Sequence, residues 1–106
     1  MSDQFVMMTA LQEQVAVAAD SIVSRTLFTG EDVRVILFVF AAGQELSEHT
    51  ASRPALIHIL EGAGTVGLGS ETFDASPGLL VHMAAGLPHS IVATTELRML
   101  LYLFGK

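Results

Sequence analysis

HTASRPALIHILEG, residues 49–62, sets one histidine on each side of a proline and closes an apolar run with Glu-Gly. LVHMAAGLPHS, residues 80–90, repeats the theme, with His82 and His89 flanking an Ala-Ala-Gly-Leu-Pro turn. Either these stretches are parts of a metal site, or they are strands that contain histidine. The choice decides both fold and function.

Outward from them, the chain reads as strands. ALIHIL (55–60) and LLVHM (79–83) are short apolar runs bounded by turn residues. VRVILFVF (33–40) is rich in β-branched and aromatic residues and reads as a central strand. SIVSRTLF (21–28) alternates, with Ile22, Ser24, Thr26 and Phe28 on one face. TVGLGSETF (65–73) is a glycine-weakened hairpin, and HSIVAT (89–94) and LRMLLYLF (97–104) are two further strands. The last also fits a helical period, but its place after a strand and a Thr-Thr-Glu turn favours β. TALQEQ (9–14) reads as a short helical turn capped by Thr9. Roughly eight short strands, with turn signals every eight to twelve residues, mark an all-β sandwich or barrel. No long amphipathic helix interrupts them, so a parallel α/β sheet is excluded.

The chain has 106 residues, enough for one domain with a real core. Hydrophobic residues make up 51% and charged residues 15%, which excludes disorder and leaves apolar surface over for self-association as a homodimer. Net charge is −6, and the basic residues (Arg25, Arg34, Arg53, Arg98 and Lys106) are scattered. That balance argues against nucleic acid and anionic membrane as partners. The absence of cysteine removes disulfides, thiolate metal sites and cysteine nucleophiles, and fits a cytoplasmic location. MSDQFVMMTALQEQ lacks the basic and apolar regions of a signal peptide. The apolar run VRVILFVFAA (33–42) is about ten residues, half of what a bilayer needs.

Imidazole is a common neutral ligand for zinc, iron, nickel and copper, so the four histidines carry the chemistry. His49 and His58 are nine residues apart, which in an unbroken strand puts them on opposite faces; Pro54 breaks that parity. His58 lies between two isoleucines and His82 between Val81 and Met83, settings in which histidine more often packs than ligates. His89 opens a strand after Gly-Leu-Pro, where the mouth of a barrel would lie. Ser90 beside it makes no triad, and GAGTVGLG (62–69) lacks the helix and lysine of a phosphate loop.

Taken together, the two stretches resemble the paired motifs of the cupin superfamily. Its first motif places His-x-His after a glycine and five residues, then a Glu, then a second glycine. Here Gly43 leads to His49, Ala51 stands at the second histidine, Ala55 at the glutamate, and Gly62 closes the motif. In the second motif Gly78, Gly86 and His89 keep their places, while Ala84 replaces proline and Ala93 replaces asparagine. The resemblance covers about residues 33–104 of a single domain, 1–106. It implies a double-stranded β-helix, the jelly-roll barrel. It also implies a ligand set in which only His49 and His89 survive, with His82 and His58 as the remaining nitrogen donors. If the strands carrying these two pair antiparallel, His58 and His82 face each other across them.

Two functions follow from the resemblance. One is a barrel whose metal site is degenerate and which binds a small molecule in a lumen lined by Val35, Leu37, Ile57, Ile59 and Met83. The other is a metal-dependent enzyme of dioxygenase, isomerase or decarboxylase type, using one divalent transition metal (zinc, iron, nickel or manganese) on His49, His89 and a third histidine. A third possibility is an accessory protein whose barrel chiefly dimerises.

Overall fold

The computed structural model describes residues 4–105. The strands are β1 (Ile22–Thr29), β2 (Val33–Phe40), β3 (Glu45–His49), β4 (Ala55–Glu61), β5 (Gly64–Leu68), β6 (Glu71–Ala75), β7 (Leu80–Met83), β8 (His89–Ala93) and β9 (Leu97–Phe104). All pair antiparallel, in a five-stranded sheet of order β1-β2-β9-β4-β7 and a four-stranded sheet of order β3-β8-β5-β6. The all-β jelly roll that the motifs imply is therefore the fold. The strand missing from the sequence expectation is β3, ELSEH. Leu46 is its one apolar residue, and that residue meets Ile91 of β8; a strand with so little apolar content leaves no periodic trace.

The interior lies between the sheets. Phe40, Ile57, Ile59, Met83, Leu97 and Met99 come from the five-stranded sheet, and Val66, Ala75, Ile91 and Ala93 from the other. Each is at most 2% exposed. Burying a side chain such as Ile57 is worth about 1.5–3 kcal/mol, so this row is the main stabilising element. Alternation in β8 shows why: His89, Ile91 and Ala93 point inward, while Ser90 and Val92 are more accessible.

The middle of the five-stranded sheet is buried on both faces. On its outer side Leu37, Val39 and Leu100 form a second cluster, covered by Leu11, Val15, Leu27, Val35, Leu60 and Tyr102. This corrects the expected lumen lining. Ile57, Ile59 and Met83 are interior, whereas Val35 and Leu37 lie on the opposite face of β2 and never reach the lumen. VRVILFVF is apolar at both parities except Arg34, so its pattern names no inner face. LRMLLYLF is apolar on both faces for the same reason, and it forms β9, the strand hydrogen-bonded between β2 and β4.

The N-terminal turn is a 3-10 helix, Leu11–Glu13. Thr9 does not cap it. The capping position is Ala10, in a left-handed conformation with no side-chain bond, and the Thr9 carbonyl instead accepts from Gln14 Nε2 at 3.0 Å. Among the described residues no helix is long and apolar enough to cross a membrane.

Candidate functional site

Both motif loops lie at one end of the barrel. Residues 50–54 join β3 to β4, and residues 84–88 join β7 to β8. The Gly86 N–H donates to the Ala51 carbonyl at 2.8 Å and ties the two loops together. The motif glycines Gly43, Gly62, Gly78 and Gly86 all have φ between 84° and 93°. Gly62 has a second constraint: a Cβ there would collide with the Glu96 carbonyl oxygen and Leu97 Cα.

His49 is the last residue of β3 and His89 the first of β8, and they are direct cross-strand partners. Their ring centroids stand 4.2 Å apart at 59°. His89 is 7% exposed, the single buried polar side chain among the described residues, while His49 lies at the surface. His49 Nδ1 donates to the Ser47 carbonyl at 2.8 Å and His89 Nδ1 to the Leu87 carbonyl at 2.9 Å. A carbonyl oxygen only accepts, so both Nδ1 atoms carry hydrogen. In the neutral form of each ring the Nε2 lone pair is therefore left to meet a ligand.

The pairing depends on a bulge. Leu46 opposes Ile91 and His49 opposes His89, a step of three residues on β3 against two on β8. An unbroken strand would aim Leu46 and His49 to opposite faces. The irregularity between them restores His49 to the inner face, beside His89.

The other two positions at which the motif resemblance places ligands, 51 and 55, hold methyl groups. Ala55 is 1% exposed and sits between Met83 of β7 and Leu103 of β9 at the same barrel end. Ala51 lies in the loop. His58 and His82 do not replace them. Strands β4 and β7 do pair antiparallel, but His58 opposes Leu80 and His82 opposes Leu56, so the two histidines are diagonal rather than opposite. They share parity with each other and not with Ile57, Ile59 and Met83, so both lie on the outer face of the sheet. Among the described residues no group of three histidine, aspartate, glutamate or cysteine side chains is placed to hold a metal ion. Two imidazoles without a carboxylate supply half of the family's donor set, and this site does not fit a resident, fully ligated metal.

Residues 36–104 match the family model for the cupin domain. The chain belongs to the cupin family. No curated protein matches it. Among solved structures, this cupin is similar to a conserved protein of unknown function from Streptococcus pyogenes, at 28% identity and a TM-score of 0.82, covering 100% of this chain and 91% of that one. It is also similar to an RmlC-like cupin from Desulfovibrio desulfuricans, at 25% identity and a TM-score of 0.84, covering 94% and 97%. Salicylate 1,2-dioxygenase from Pseudoaminobacter salicylatoxidans shares the fold at 21% identity and a TM-score of 0.75, with 88% of this chain aligned to 29% of that one.

Two residues at the mouth had no motif to mark them. Arg34 stands on the inner parity of β2, with Phe38 and Phe40, and Arg53 lies in the loop before Ala55. In the sequence they are among scattered basic residues; the fold sets them around a common cavity.

Proposed function

We propose that this cupin is a small-molecule-binding barrel whose ligand is held at the mouth by His49 and His89 without a resident metal. The observation that carries the reading is the His49–His89 pair itself: two rings in contact, both Nδ1 atoms committed to backbone carbonyls, both Nε2 atoms open. Neutral, each Nε2 accepts a hydrogen bond from a ligand hydroxyl or amine; protonated, each donates to an anion. Ala51 and Ala55 support the same reading, because small side chains stand where metal-ligating groups stand in the family. The packed interior behind them, Ile57, Ile59 and Met83, makes the mouth rather than the deep lumen the accessible part.

A metal-dependent activity is the alternative, and the two open Nε2 atoms favour it. Elemental analysis of protein purified without added metal separates the readings, paired with the His49→Ala variant. Metal below a tenth of stoichiometric, roughly, fits the metal-free barrel; a full equivalent that disappears in the variant sinks it.

A cytoplasmic homodimer is part of this proposal. Phe5, Val6 and Met7 are 73%, 64% and 77% exposed, a contiguous apolar segment that a second copy of the chain would cover.

A further inference from the structure

The mouth also carries two arginines that form no ion pair among the described residues. Thr29, Arg34, Leu103, Ala55 and Met83 are successive cross-strand partners from β1 to β7. Arg34 thus lies in the row that contains Ala55, at the barrel end that bears the two motif loops. Arg53 is anchored beside it, its Nη1 donating to the Gly105 carbonyl at 3.0 Å. A cavity of about 340 Å³ is lined by Arg34, Ala51, Ser52, Arg53 and Leu103. A neighbouring cavity of about 320 Å³ shares both arginines and adds Thr29, Glu31 and Gly105 to its wall.

What sets Arg34 and Arg53 apart from the other arginines is that they share a cavity wall. Among the described residues both ion pairs belong to Arg98, with Glu61 and Glu96. Arg25 donates to the Gln14 carbonyl, as Arg53 does to the Gly105 carbonyl, but lines neither of these cavities. Among the described residues Arg34 and Arg53 have no acidic partner, and Glu31, on the wall of the second cavity, pairs with neither. In a chain of net charge −6 with eleven acidic residues, two guanidinium groups around one cavity with no ion pair among the described residues favour an outside anion. Ala51 connects this cavity to the histidine pair: it lines the wall and lies two residues after His49.

We propose that the mouth recognises a small organic carboxylate, its carboxylate set between Arg34 and Arg53. The planar fork of arginine matches a carboxylate with two parallel N–H···O bonds, a geometry lysine lacks. The cavity volume lies at the small end of the range for ligand pockets, about 300–1,000 Å³, which fits a compact acid. The inference rests on the reading that the mouth binds a small molecule, and names its class.

The test is an NMR titration of the ¹⁵N-labelled full chain at fixed ionic strength with three probes: benzoate, benzyl alcohol and inorganic phosphate. Benzoate is expected to shift the amides of Ala51, Ser52 and Arg53 saturably and to bind more tightly than the other two. Arg34→Gln and Arg53→Gln are each expected to weaken benzoate about tenfold or more, and Arg34→Lys to restore only part. Both side chains are exposed, and the ¹⁵N spectrum of each variant reports its fold. If benzyl alcohol or phosphate binds as well as benzoate, or the double glutamine variant keeps benzoate affinity, the carboxylate assignment is wrong while mouth binding stands. If no probe binds, both the assignment and the small-molecule reading fall.

Discussion

His49 and His89 face each other across β3 and β8 because one irregularity in β3 shifts its register by a residue. The two imidazoles share one contact and the same backbone-bonded Nδ1 geometry, but they are not equivalent. His89 is nearly enclosed and His49 is exposed.

His89→Ala is expected to destabilise the fold by about 1–3 kcal/mol, since it leaves a partly buried Leu87 carbonyl without its donor and opens space beside Leu68, its partner on β5. His49→Ala removes an exposed ring and is expected to cost less than about 1 kcal/mol. Urea denaturation of both variants checks the order; equal losses would mean that burial does not separate them.

The family's ligand set is expected to be restorable. Ala55→Glu alone buries a carboxylate among Met83 and Leu103 and is expected to lower the melting temperature. Ala51→His with Ala55→Glu completes four donors together with His49 and His89. Added nickel or zinc is then expected to raise the melting temperature of the double variant and not of the parent, because metal that binds only the folded state stabilises it. Calorimetry with and without metal decides; no metal-dependent shift in the double variant would show that the alanines do not occupy ligand positions.

Gly62→Ala and Gly78→Ala change the same atom at the same φ of 93°, in different surroundings. At Gly78 nothing lies within 4 Å of the added Cβ, and the left-handed backbone alone is expected to cost about 1–2 kcal/mol. At Gly62 the methyl also meets the Glu96 carbonyl and the Leu97 backbone, so the loss is expected to exceed about 3 kcal/mol. Thermal unfolding of the pair isolates the steric part by difference.

Leu37→Ala is expected to destabilise as strongly as Ile57→Ala, about 2–5 kcal/mol each, although the two side chains lie on opposite faces of the five-stranded sheet. A much smaller loss at Leu37 would mean that Leu11 and Val15 do not seal the outer cluster.

Replacing Phe5 and Met7 by serine is expected to convert a dimer into a monomer, read by sedimentation at micromolar concentration. A parent chain that already sediments as a monomer overturns the dimer proposal.

Local chemistry made the barrel legible. The glycines at 43, 62, 78 and 86 stand where the chain turns with positive φ, and such turns tolerate little else, so their spacing carries the topology of the loops. Strand ends in β4, β7, β8 and β9 followed from apolar runs between turn residues, and the motif resemblance placed Ala51 and Ala55 at ligand positions. His49 and His89 were legible as a pair only through the motif, since forty residues separate them and periodicity says nothing across that distance.

Tertiary structure decided the facing of side chains. A strand with one polar side announces its inner face; β2 and β9 are apolar on both and do not, which is why Val35 and Leu37 belong to the outer cluster rather than the lumen. Register between strands is a long-range property as well: His58 and His82 lie on paired strands and still miss each other by two residues. The bulge that turns His49 inward has no signature in ELSEH. The meeting of Arg34 and Arg53 at one cavity comes from β2 and the β3–β4 loop closing on the same end of the barrel. Residue chemistry and turn positions are local properties of the chain; pairing register sets which residues share a space, because register arises from contacts between segments far apart in the chain.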